Sequence, residues 1–523
     1  MPAKTRSASL GPVYLGIDIG TSGCRTLAVT TNGTVLAIAD RGYPLITPAP
    51  GHVEQDPQEW IRGAFATLAE VCTSGAFDPA QVAGIGVDGQ SWACVPVAKD
   101  GTILANNPLW MDVRAQSICD ELLTRVPAAE LLALAGNPLS PSYSTAKAIW
   151  FQRKRPEVFA RARWFLQCNS VVVLALTGVA SQDHSQGYGW HFIDVATGDI
   201  DAGMAERLGI DPGRVPAAVE PSAVVGGLTA AAAAATGLRP GTPVVAGGLD
   251  AACGTLGAGV YLPGQAQEQS GQAGGMSIAM AEPVADPRLI LSRHVVPGSW
   301  LLQGGTSAGA ASLAWLARVI GAAEAVAAGH SATAQFEEIS RLAGQVPPGA
   351  DGVIFLPYLS GERSPLWDPD ARGAFIGLHL GIDRPQLYRA AMEGVAMALR
   401  HNLDTAAAAG VTASELRAVG GATKSPVWMQ IKADVTGVPL TVGAHPNATP
   451  LGAAMLAALG TGGAGVAELA RTWASHAASY RPDLATRERY DRLYAVYSGL
   501  YPALAGSMHT LAEIGRSSQK AHE

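Results

Sequence analysis

The stretch VYLGIDIGTSGCRTLAVTTNGTVLAIADRGY, residues 13–43, decides the fold. Three segments rich in aliphatic and β-branched residues (14–19, 24–30 and 34–40) are separated by a glycine-rich turn and by the sequence TNGT, a strong hairpin signal. A later stretch, GQAQEQSGQAGGMSIAMAEPV at 264–284, repeats the arrangement of a glycine-rich turn between two strand-like segments. We therefore expect an α/β chain in two halves, each opening with a glycine-turned hairpin.

Helical patterns alternate with these segments along the chain. Residues 384–409 give the clearest one, with an apolar residue recurring on one helical face. Asp383 and Gln386 have the spacing of a capping box at its start, and Gly410 follows its end. The pattern predicts a long helix in the second half.

Composition limits the classes of function. The chain has 523 residues, enough for two large domains, and its 61 glycines and 34 prolines indicate many turns. A net charge of −7 without basic runs argues against a nucleic-acid partner. We also expect no membrane partner, because the N-terminus lacks a signal-like apolar segment and the longest strongly apolar run, 171–180, is too short to cross a bilayer. The six cysteines are dispersed, which favours reduced thiols, a cytoplasmic protein and no structural zinc site.

The first glycine-rich turn, in DIGTSGCR, can bind phosphate. Gly20 and Gly23 would let the backbone N–H groups approach phosphate oxygens, and the neighbouring polar side chains would add donors and charge. Those side chains are Thr21, Ser22 and Arg25. Asp18 could hold Mg²⁺ through water. The alternative is an ordinary hairpin with polar turn residues. No GxxxxGK[ST] motif occurs, and GGTSAG at 304–309 is a weaker phosphate candidate.

A single carboxylate, Asp250, stands in the small and apolar stretch GGLDAACGTLGAG, residues 247–259. A buried aspartate is unfavourable unless it is hydrogen-bonded, paired or used in chemistry. From the local sequence alone, either Asp250 caps the helix that follows, or it has a catalytic role.

The chain resembles the FGGY carbohydrate kinases, and among them the xylulokinases most closely, from about residue 14 to about residue 460. The motifs that carry the resemblance occur in order: GIDIGTSG, GHVEQDPQEW, LWMDVRA, LPYLSGERSPLWDPDARGAFIGL and VGGATKSPVWMQIKADVTGVPL. The resemblance implies an α/β fold of two ribonuclease-H-like domains, as in actin, sugar kinases and heat-shock chaperone ATPases, on either side of a catalytic cleft. We place an N-terminal sugar-binding domain at 1–258 and a C-terminal nucleotide-binding domain at 259–523, with a helical tail from about 461.

The resemblance also implies roles for single residues. Asp250 would be the catalytic base that accepts the proton of the attacking sugar hydroxyl, with ATP and Mg²⁺ as cofactors. The predicted ATP- and phosphate-binding residues are Asp18, Thr21, Ser22, Arg25, Gly271, Gln272, Gly420, Gly421, Ala422 and Ser425. The predicted sugar-binding residues are Gln90, Ser91, Trp92, Trp110, Asp112 and Asp250. Two alternatives stay open: Trp110 as a core residue, and 420–425 as a strand-to-helix turn. GHVEQDPQEW and DPDARGAFIGL are assigned mainly to structure.

Departures from the family pattern concentrate around the sugar. GQSWA stands where xylulokinases usually have GQMHG, which puts Trp92 in the place of a histidine, and Ala251 replaces an asparagine. The second phosphate turn reads Gly271-Gln272-Ala273-Gly274 instead of GTSG, and DHSQGYG at 183–189 keeps Asp183 and Ser185 but not the small polar residues that follow. The kinase reaction is therefore better supported than its substrate.

The predicted function is ATP-dependent phosphorylation of a ketopentose such as D-xylulose. The alternatives are a kinase for another ketose or polyol and a kinase-like sensor that binds sugar or nucleotide without turnover. A chaperone-like ATPase of the same fold is disfavoured, because no peptide-binding domain follows residue 460. A homodimer is the predicted assembly.

Overall fold

The computed structural model describes residues 11–520. Residues 1–10 and 521–523, which belong to the two predicted domains, lie outside the described residues. The strands of the first half are β1 (Val13–Ile19), β2 (Gly23–Thr30), β3 (Val35–Gly42), β4 (Ile46–Ala49), β5 (His52–Gln55), β6 (Val82–Gly89), β7 (Val95–Val97), β8 (Asn107–Pro108), β9 (Trp164–Leu166), β10 (Gln182–Asp183), β11 (Ala218–Val219), β12 (Val224–Gly227), β13 (Pro243–Val245) and β14 (Gly248–Leu249). Its helices are α1 (Pro57–Thr73), α2 (Gln116–Leu123), α3 (Ala128–Ala135), α4 (Ser144–Lys154), α5 (Pro156–Arg161), α6 (Cys168–Thr177), α7 (Ala202–Leu208), α8 (Ala230–Thr236) and α9 (Asp250–Gly257).

The second half has fewer strands and longer helices. Its strands are β15 (Gln265–Ser270), β16 (Gly274–Met280), β17 (Ile290–Arg293), β18 (Trp300–Thr306), β19 (Ile354–Leu356), β20 (Ala374–Ile376), β21 (Glu415–Val419), β22 (Leu440–Gly443) and β23 (His476–Tyr480). Its helices are α10 (Ala310–Ile320), α11 (Ala322–Ala327), α12 (Ala332–Gln345), α13 (Arg384–Ala408), α14 (Pro426–Thr436), α15 (Ala448–Gly460), α16 (Val466–Trp473) and α17 (Arg487–Lys520). No helix within 11–520 is long and apolar enough to span a membrane.

The first main sheet has the strand order β12-β13-β6-β1-β2-β3, with β14 also pairing with β6. Strands β1, β2 and β3 form the antiparallel meander that residues 13–43 predict. On the other side of β1, β6 pairs parallel to β1 and β13 pairs parallel to β6. The carboxyl ends of β1 and β6 therefore meet at one edge of the sheet.

The second main sheet repeats this topology, in the order β17-β18-β16-β15-β21-β22-β23. Strands β15, β16 and β18 pair antiparallel in that order, with β17 inserted before β18 at the outer edge, while β21 pairs parallel to β15 and β22 parallel to β21. Two copies of three antiparallel strands followed by parallel strands are the two ribonuclease-H-like domains that the sequence predicts. The predicted helix in the second half is α13, and the Gln386 side chain accepts a hydrogen bond from the backbone N–H of Asp383 at its start.

The predicted helical tail differs from the structure in one respect. It contains α16 and α17, but between them β23 pairs antiparallel with β22 and extends the second sheet. A short strand at this place covers the edge of β22, whose backbone groups would otherwise remain unpaired.

The two halves meet through α15, which packs against α9 and against the strands β1 and β6. The contact is close because the backbone of α15 lies directly against the backbones of β1 and α9. A Cβ atom at Gly16 would lie 1.8 Å from the carbonyl oxygen of Pro450, and one at Gly452 would lie 1.9 Å from that of Cys253. Glycine is required at both positions, since any side chain would separate the helix from the first domain.

A second contact between the halves involves a buried amide. The Asn137 side chain donates a hydrogen bond to the carbonyl oxygen of Leu291 (2.7 Å) and accepts one from the Leu291 N–H (3.0 Å). Both hydrogen-bonding groups of this β17 residue are thus satisfied by the first half of the chain. The contact fixes β17 and β18 beside the cleft.

Candidate active site

A cavity of about 370 Å³ lies between the two sheets. The first half contributes the ends of β1, β6 and β14, and the second half contributes β16, β18 and the turn after β19. Its charged lining residues within 11–520 are Asp18, Asp250 and Arg363. The cavity therefore brings together the two aspartates that the sequence predicts.

Asp250 is the first residue of α9 and directly follows the two-residue strand β14. Its carboxylate accepts a hydrogen bond from the adjacent Ala251 N–H (2.6 Å), whereas the N-cap position belongs to Leu249. The helix-capping alternative is therefore not the arrangement seen. Hydrogen bonds also fix the turn between β14 and α9 in which Asp250 lies. The Leu249 N–H donates to the Ser185 hydroxyl (2.9 Å), and this hydroxyl donates to Asp183 (2.5 Å).

Burial raises the pKa of Asp250 to about 7, and the nearby charge of Asp18 adds to the shift, while the Ala251 N–H opposes it. A carboxylate with a pKa near neutrality can both accept and release a proton. This environment suits a general base.

A third carboxyl group, that of Asp88, lies beside Asp18, and the sequence analysis missed it. The parallel register pairs Asp18 of β1 with Asp88 of β6, and Asp88 with Gly248 of β14. Asp88 is fully buried, and neither of its oxygens accepts a hydrogen bond from a donor in the part of the chain that the structure describes. Burial and the charges of Asp18 and Asp250 raise the pKa of Asp88 well above its usual range.

The raised pKa favours a protonated Asp88 carboxyl group, which can donate a hydrogen bond towards Asp18. Burial raises the pKa of Asp18 to about 6, and its contacts with Asp88 and Arg25 limit the rise. The segment VAGIGVDG has the pattern of an ordinary apolar strand with an aspartate as its penultimate residue, and its parallel pairing with the strand of Asp18 is seen only in the structure, so no local signal marks Asp88.

Aromatic rings form the part of the cavity wall that the sequence predicts to bind the sugar. Trp92 packs against Tyr143 and Tyr188, with ring centroids 4.3 and 5.7 Å away. Its backbone has φ of 59°, a left-handed conformation, and its indole N–H is buried without a partner among residues 11–520. The Tyr188 hydroxyl donates to Ser91 (2.9 Å). Tyr188 is thus a further lining residue that the sequence analysis did not name.

Polar groups connect this wall to the first turn. The Trp110 indole N–H donates to the Thr21 hydroxyl (3.1 Å), which is also 3.3 Å from the Gln90 amide oxygen. Gln90 donates to Gln55 (2.9 Å). Thr21, Gln90, Ser91, Trp92 and Trp110 all line the cavity. Trp110 packs half-buried against the core and also lines the cavity, so its contact with a sugar stays a prediction.

Asp112 has a different place from the predicted one. It is 1% exposed, it is not among the residues lining the cavity, and its carboxylate accepts hydrogen bonds from the Val53 N–H and from Arg114. Arg114 also bridges to Glu54 (2.6 Å). A buried carboxylate needs such partners, and through them Asp112 fixes the loop that contains Arg114 to the Val53 backbone.

The remaining residues of the first turn face outward. Ser22 is exposed, and its carbonyl accepts a hydrogen bond from Tyr43 N–H. Arg25 pairs with Asp40 (2.5 Å) and donates to Asn447 (2.7 Å), just before α15, and it does not line the cavity. Its contact with a phosphate stays a prediction.

The second turn joins β15 to β16. The carbonyl of Gly271 accepts from Ala310 N–H, and that of Gln272 accepts from Gly309 and Ala311 N–H, at the start of α10. Ala273 and Gly274 line the cavity, whereas Gly271 and Gln272 do not. The stretch 304–309 is half strand and half turn: Gly304 and Gly305 belong to β18 and line the cavity, and residues 307–309 form the turn into α10.

The predicted adenosine motif lies against this turn. At Gly420 φ is 102°, and a Cβ atom would lie 2.7 Å from the carbonyl oxygen of Ser270. Ser425 is buried and caps α14 by accepting a hydrogen bond from Trp428 N–H (3.1 Å), and Ala422 is buried beside it. Gly421 is exposed. The segment is a strand-to-helix turn, and nucleotide binding by its residues stays a prediction.

Comparisons with known proteins agree with this geometry. Residues 13–257 match the N-terminal domain of the FGGY family of carbohydrate kinases, and residues 276–461 match the C-terminal domain. A xylulose kinase of Bacillus subtilis is 30% identical over 93% of this chain and 96% of its own. A gluconokinase of the same organism is 25% identical over 86% of this chain and 87% of its own. The crystal structure of xylulose kinase from Rhodospirillum rubrum superposes with a TM-score of 0.85 at 34% identity, covering 95% of this chain and all of that one.

Proposed function

The chain belongs to the FGGY family of carbohydrate kinases, and from that premise we propose that it transfers the γ-phosphoryl group of ATP to D-xylulose, giving D-xylulose 5-phosphate. It is a xylulokinase-like carbohydrate kinase. The observation that carries the proposal is the cavity in which Asp250, with a pKa near neutrality, faces Asp18 and the first turn. Xylulose kinases among its relatives support the choice of sugar.

Asp250 acts as the general base. The sugar hydroxyl attacks the γ-phosphorus, a bond forms between that oxygen and phosphorus, and the bond from phosphorus to the β-phosphate oxygen breaks. The hydroxyl proton passes to the Asp250 carboxylate, and ADP leaves with the bonding electron pair. Because Asp250 lies between small residues at the start of α9, the sugar can approach it closely.

Asp18 and the first turn would hold the phosphates. Asp18 lines the cavity together with Gly20 and Thr21 of the first turn. No group of three or more metal-binding side chains occurs within 11–520, but Mg²⁺ typically needs only one or two carboxylates with phosphate oxygens and water. The residues present therefore fit the ion, with Asp18 as its protein ligand through water. When bound, Mg²⁺ neutralises negative charge on the phosphates.

A second candidate is a kinase for another ketose or for a polyol. Trp92 and Tyr188 make the sugar wall aromatic, and Ala251 offers no side-chain hydrogen bond next to the base. Such a pocket selects by shape and stacking more than by hydrogen bonds. A relative named a gluconokinase supports a sugar other than a ketopentose as the alternative.

A panel of pentuloses, hexuloses, polyols and aldonic acids in a coupled ADP-release assay tests the proposal. We expect D-xylulose to stimulate ADP release and to give the highest kcat/KM of the panel. A higher value for another sugar would replace D-xylulose by that sugar, and ADP release unaffected by every member would favour a non-catalytic sensor.

The domain division at residue 258 and the homodimer also remain proposals. Light scattering that gives twice the chain mass of 53.7 kDa would support the dimer.

A further inference from the structure

Among residues 11–520, Arg363 is the cationic side chain that lines the cavity, and it comes from the turn after β19. This turn belongs to the motif LPYLSGERSPLWDPDARGAFIGL. The roles proposed above for Asp250 and for the two glycine-rich turns do not involve Arg363. Its guanidinium carbon lies 5.5 Å from the centroid of the Trp110 ring, which belongs to the other half of the chain. Arg363 thus reaches across the cleft towards the sugar side.

The position of the guanidinium is prepared by the backbone around it. Nη2 donates a hydrogen bond to the carbonyl oxygen of Thr306 (3.1 Å), and a Cβ atom on Gly305 would lie 2.9 Å from the same nitrogen. Gly305 pairs with Gly275 across β16 and β18, directly after the second turn. On the other side of the guanidinium, Trp110 is hydrogen-bonded to Thr21 of the first turn. The charge is therefore placed between the two glycine-rich turns.

The Arg363 guanidinium also has no carboxylate partner in the part of the chain that the structure describes. No ion pair among residues 11–520 includes Arg363; the neighbouring Glu362 accepts hydrogen bonds from the backbone N–H groups of Ser307 and Arg363, both at 2.7 Å. A guanidinium has five N–H donors, and a partly buried one without an anion is unfavourable. A bound anion would supply the missing partner.

The turn that carries Arg363 is fixed at two places. Glu362 holds one end through the two backbone hydrogen bonds, and Asp368 holds the other by accepting from Tyr501 and His509 of α17, both at 2.8 Å. A cation on a fixed turn needs little reorganisation when charge develops in front of it.

We propose that Arg363 is a further catalytic residue, whose guanidinium binds the non-bridging oxygens of the phosphoryl group while it passes from ATP to the sugar. The proposal rests on the phosphoryl transfer of the proposed function and not on which sugar is used. The second turn has Gln272 and Ala273 at its tip and lacks hydroxyl donors, so Arg363 supplies donors and charge at this side of the phosphoryl group.

The test compares Arg363→Gln, Arg363→Lys and Arg363→Ala with Arg372→Gln, a matched control. Arg372 lies on the same segment outside the cavity, where it pairs with Asp370. We expect Arg363→Gln to lower kcat by about 10²–10³-fold, as removal of one preorganised donor to a developing charge does, with a change in sugar affinity below about threefold. Arg363→Lys should retain part of the activity, added guanidinium should restore part of it to Arg363→Ala, and Arg372→Gln should behave as wild type.

A second measurement does not need the sugar to be known. Binding of ADP with aluminium fluoride, a mimic of the transferring phosphoryl group, is followed by calorimetry in wild type and in Arg363→Gln. We expect the variant to lose most of the extra affinity that aluminium fluoride gives to ADP, and to bind ADP alone as wild type does.

Three results would overturn the proposal. An unchanged kcat with a weakened sugar affinity would make Arg363 a sugar contact. Equal losses in Arg363→Gln and Arg372→Gln, with a lower unfolding temperature for both, would make it structural. Equal binding of the mimic by wild type and variant would show that the guanidinium does not contact the phosphoryl group. If wild type phosphorylates no sugar, the proposed function fails, while the binding measurement still decides the role of Arg363.

Discussion

The Asp250 carboxylate is surrounded by groups that oppose its ionisation, and this sets a pH dependence. Burial raises the pKa of Asp250 to about 7, and as the proposed base Asp250 must be ionised to accept the hydroxyl proton. We expect kcat/KM for the sugar to fall about tenfold per pH unit below about pH 7 and to level off above it. The pH profile of kcat/KM measures this, and a flat profile between about pH 5 and pH 8 would contradict the environment of Asp250 described above.

Trp92 and Ala251 are the residues at which specificity should change. The Trp92 ring is held by Tyr143 and Tyr188, so a smaller imidazole would open space and restore a hydrogen-bonding group. We expect the double variant Trp92→His with Ala251→Asn to shift the ratio of kcat/KM values towards D-xylulose by about 1–3 kcal/mol, relative to the sugar that wild type uses best among the others. The measurement is the same sugar panel on both proteins. A wild type that already prefers D-xylulose strongly, together with a variant that prefers it less, would show that the two departures do not act in this way.

Single site residues could be predicted from the sequence better than the side chains and backbone groups that they contact. Asp18 and Asp250 stand in glycine-rich motifs and lie in one cavity, as their motifs suggest. Asp88 was missed because nothing in its own segment is unusual, and only the parallel pairing of β6 with β1 puts it beside Asp18. Asp112 was misplaced for the same reason, since its burial depends on Arg114 and on the distant Val53 backbone.

Helix α15 is the element on which the relation of the two halves depends. Gly452 of α15 lies against the Cys253 carbonyl, so Gly452→Ala should push the helix away from α9 and destabilise the protein by about 1–3 kcal/mol, as overpacking does. The control is Gly506→Ala in α17, where a Cβ atom meets nothing within 4 Å. There the higher helix propensity of alanine should stabilise slightly.

Urea unfolding of both variants measures the difference. Equal unfolding midpoints for Gly452→Ala and wild type would mean that α15 can move away from α9 without a loss of stability, which would contradict the packing described.

Elements with local signals were predictable, and elements made by distant pairing were not. The hairpins of 13–43 and the helix α13 carry turn and capping residues within their own segments. Strand β23, in contrast, is His476–Tyr480, a short and partly exposed segment that becomes a strand only because β22 offers an open edge. The contact of Asn137 with Leu291 joins residues 154 positions apart and has no local signal.

For the whole molecule, the cleft between two domains predicts closure on substrates. Both walls of the cavity contribute residues, and α15 connects the domains at one side. We expect sugar and nucleotide together to lower the radius of gyration more than either alone, because only together do they bridge the walls. Small-angle scattering of the free protein, the two binary complexes and the ternary complex tests this. The same radius in all four states would indicate a rigid binding protein.

The most direct test is sugar-stimulated ADP release by Asp250→Asn, with calorimetric binding of ADP measured alongside. The amide keeps the shape of the side chain but cannot accept the hydroxyl proton. We expect turnover to fall by about 10²–10⁴-fold, while the affinity for ADP stays close to that of wild type. Asp199→Asn, an exposed aspartate away from the cavity, should change neither quantity. Turnover of Asp250→Asn near the wild-type rate would contradict the assignment of Asp250 as the base of a sugar kinase.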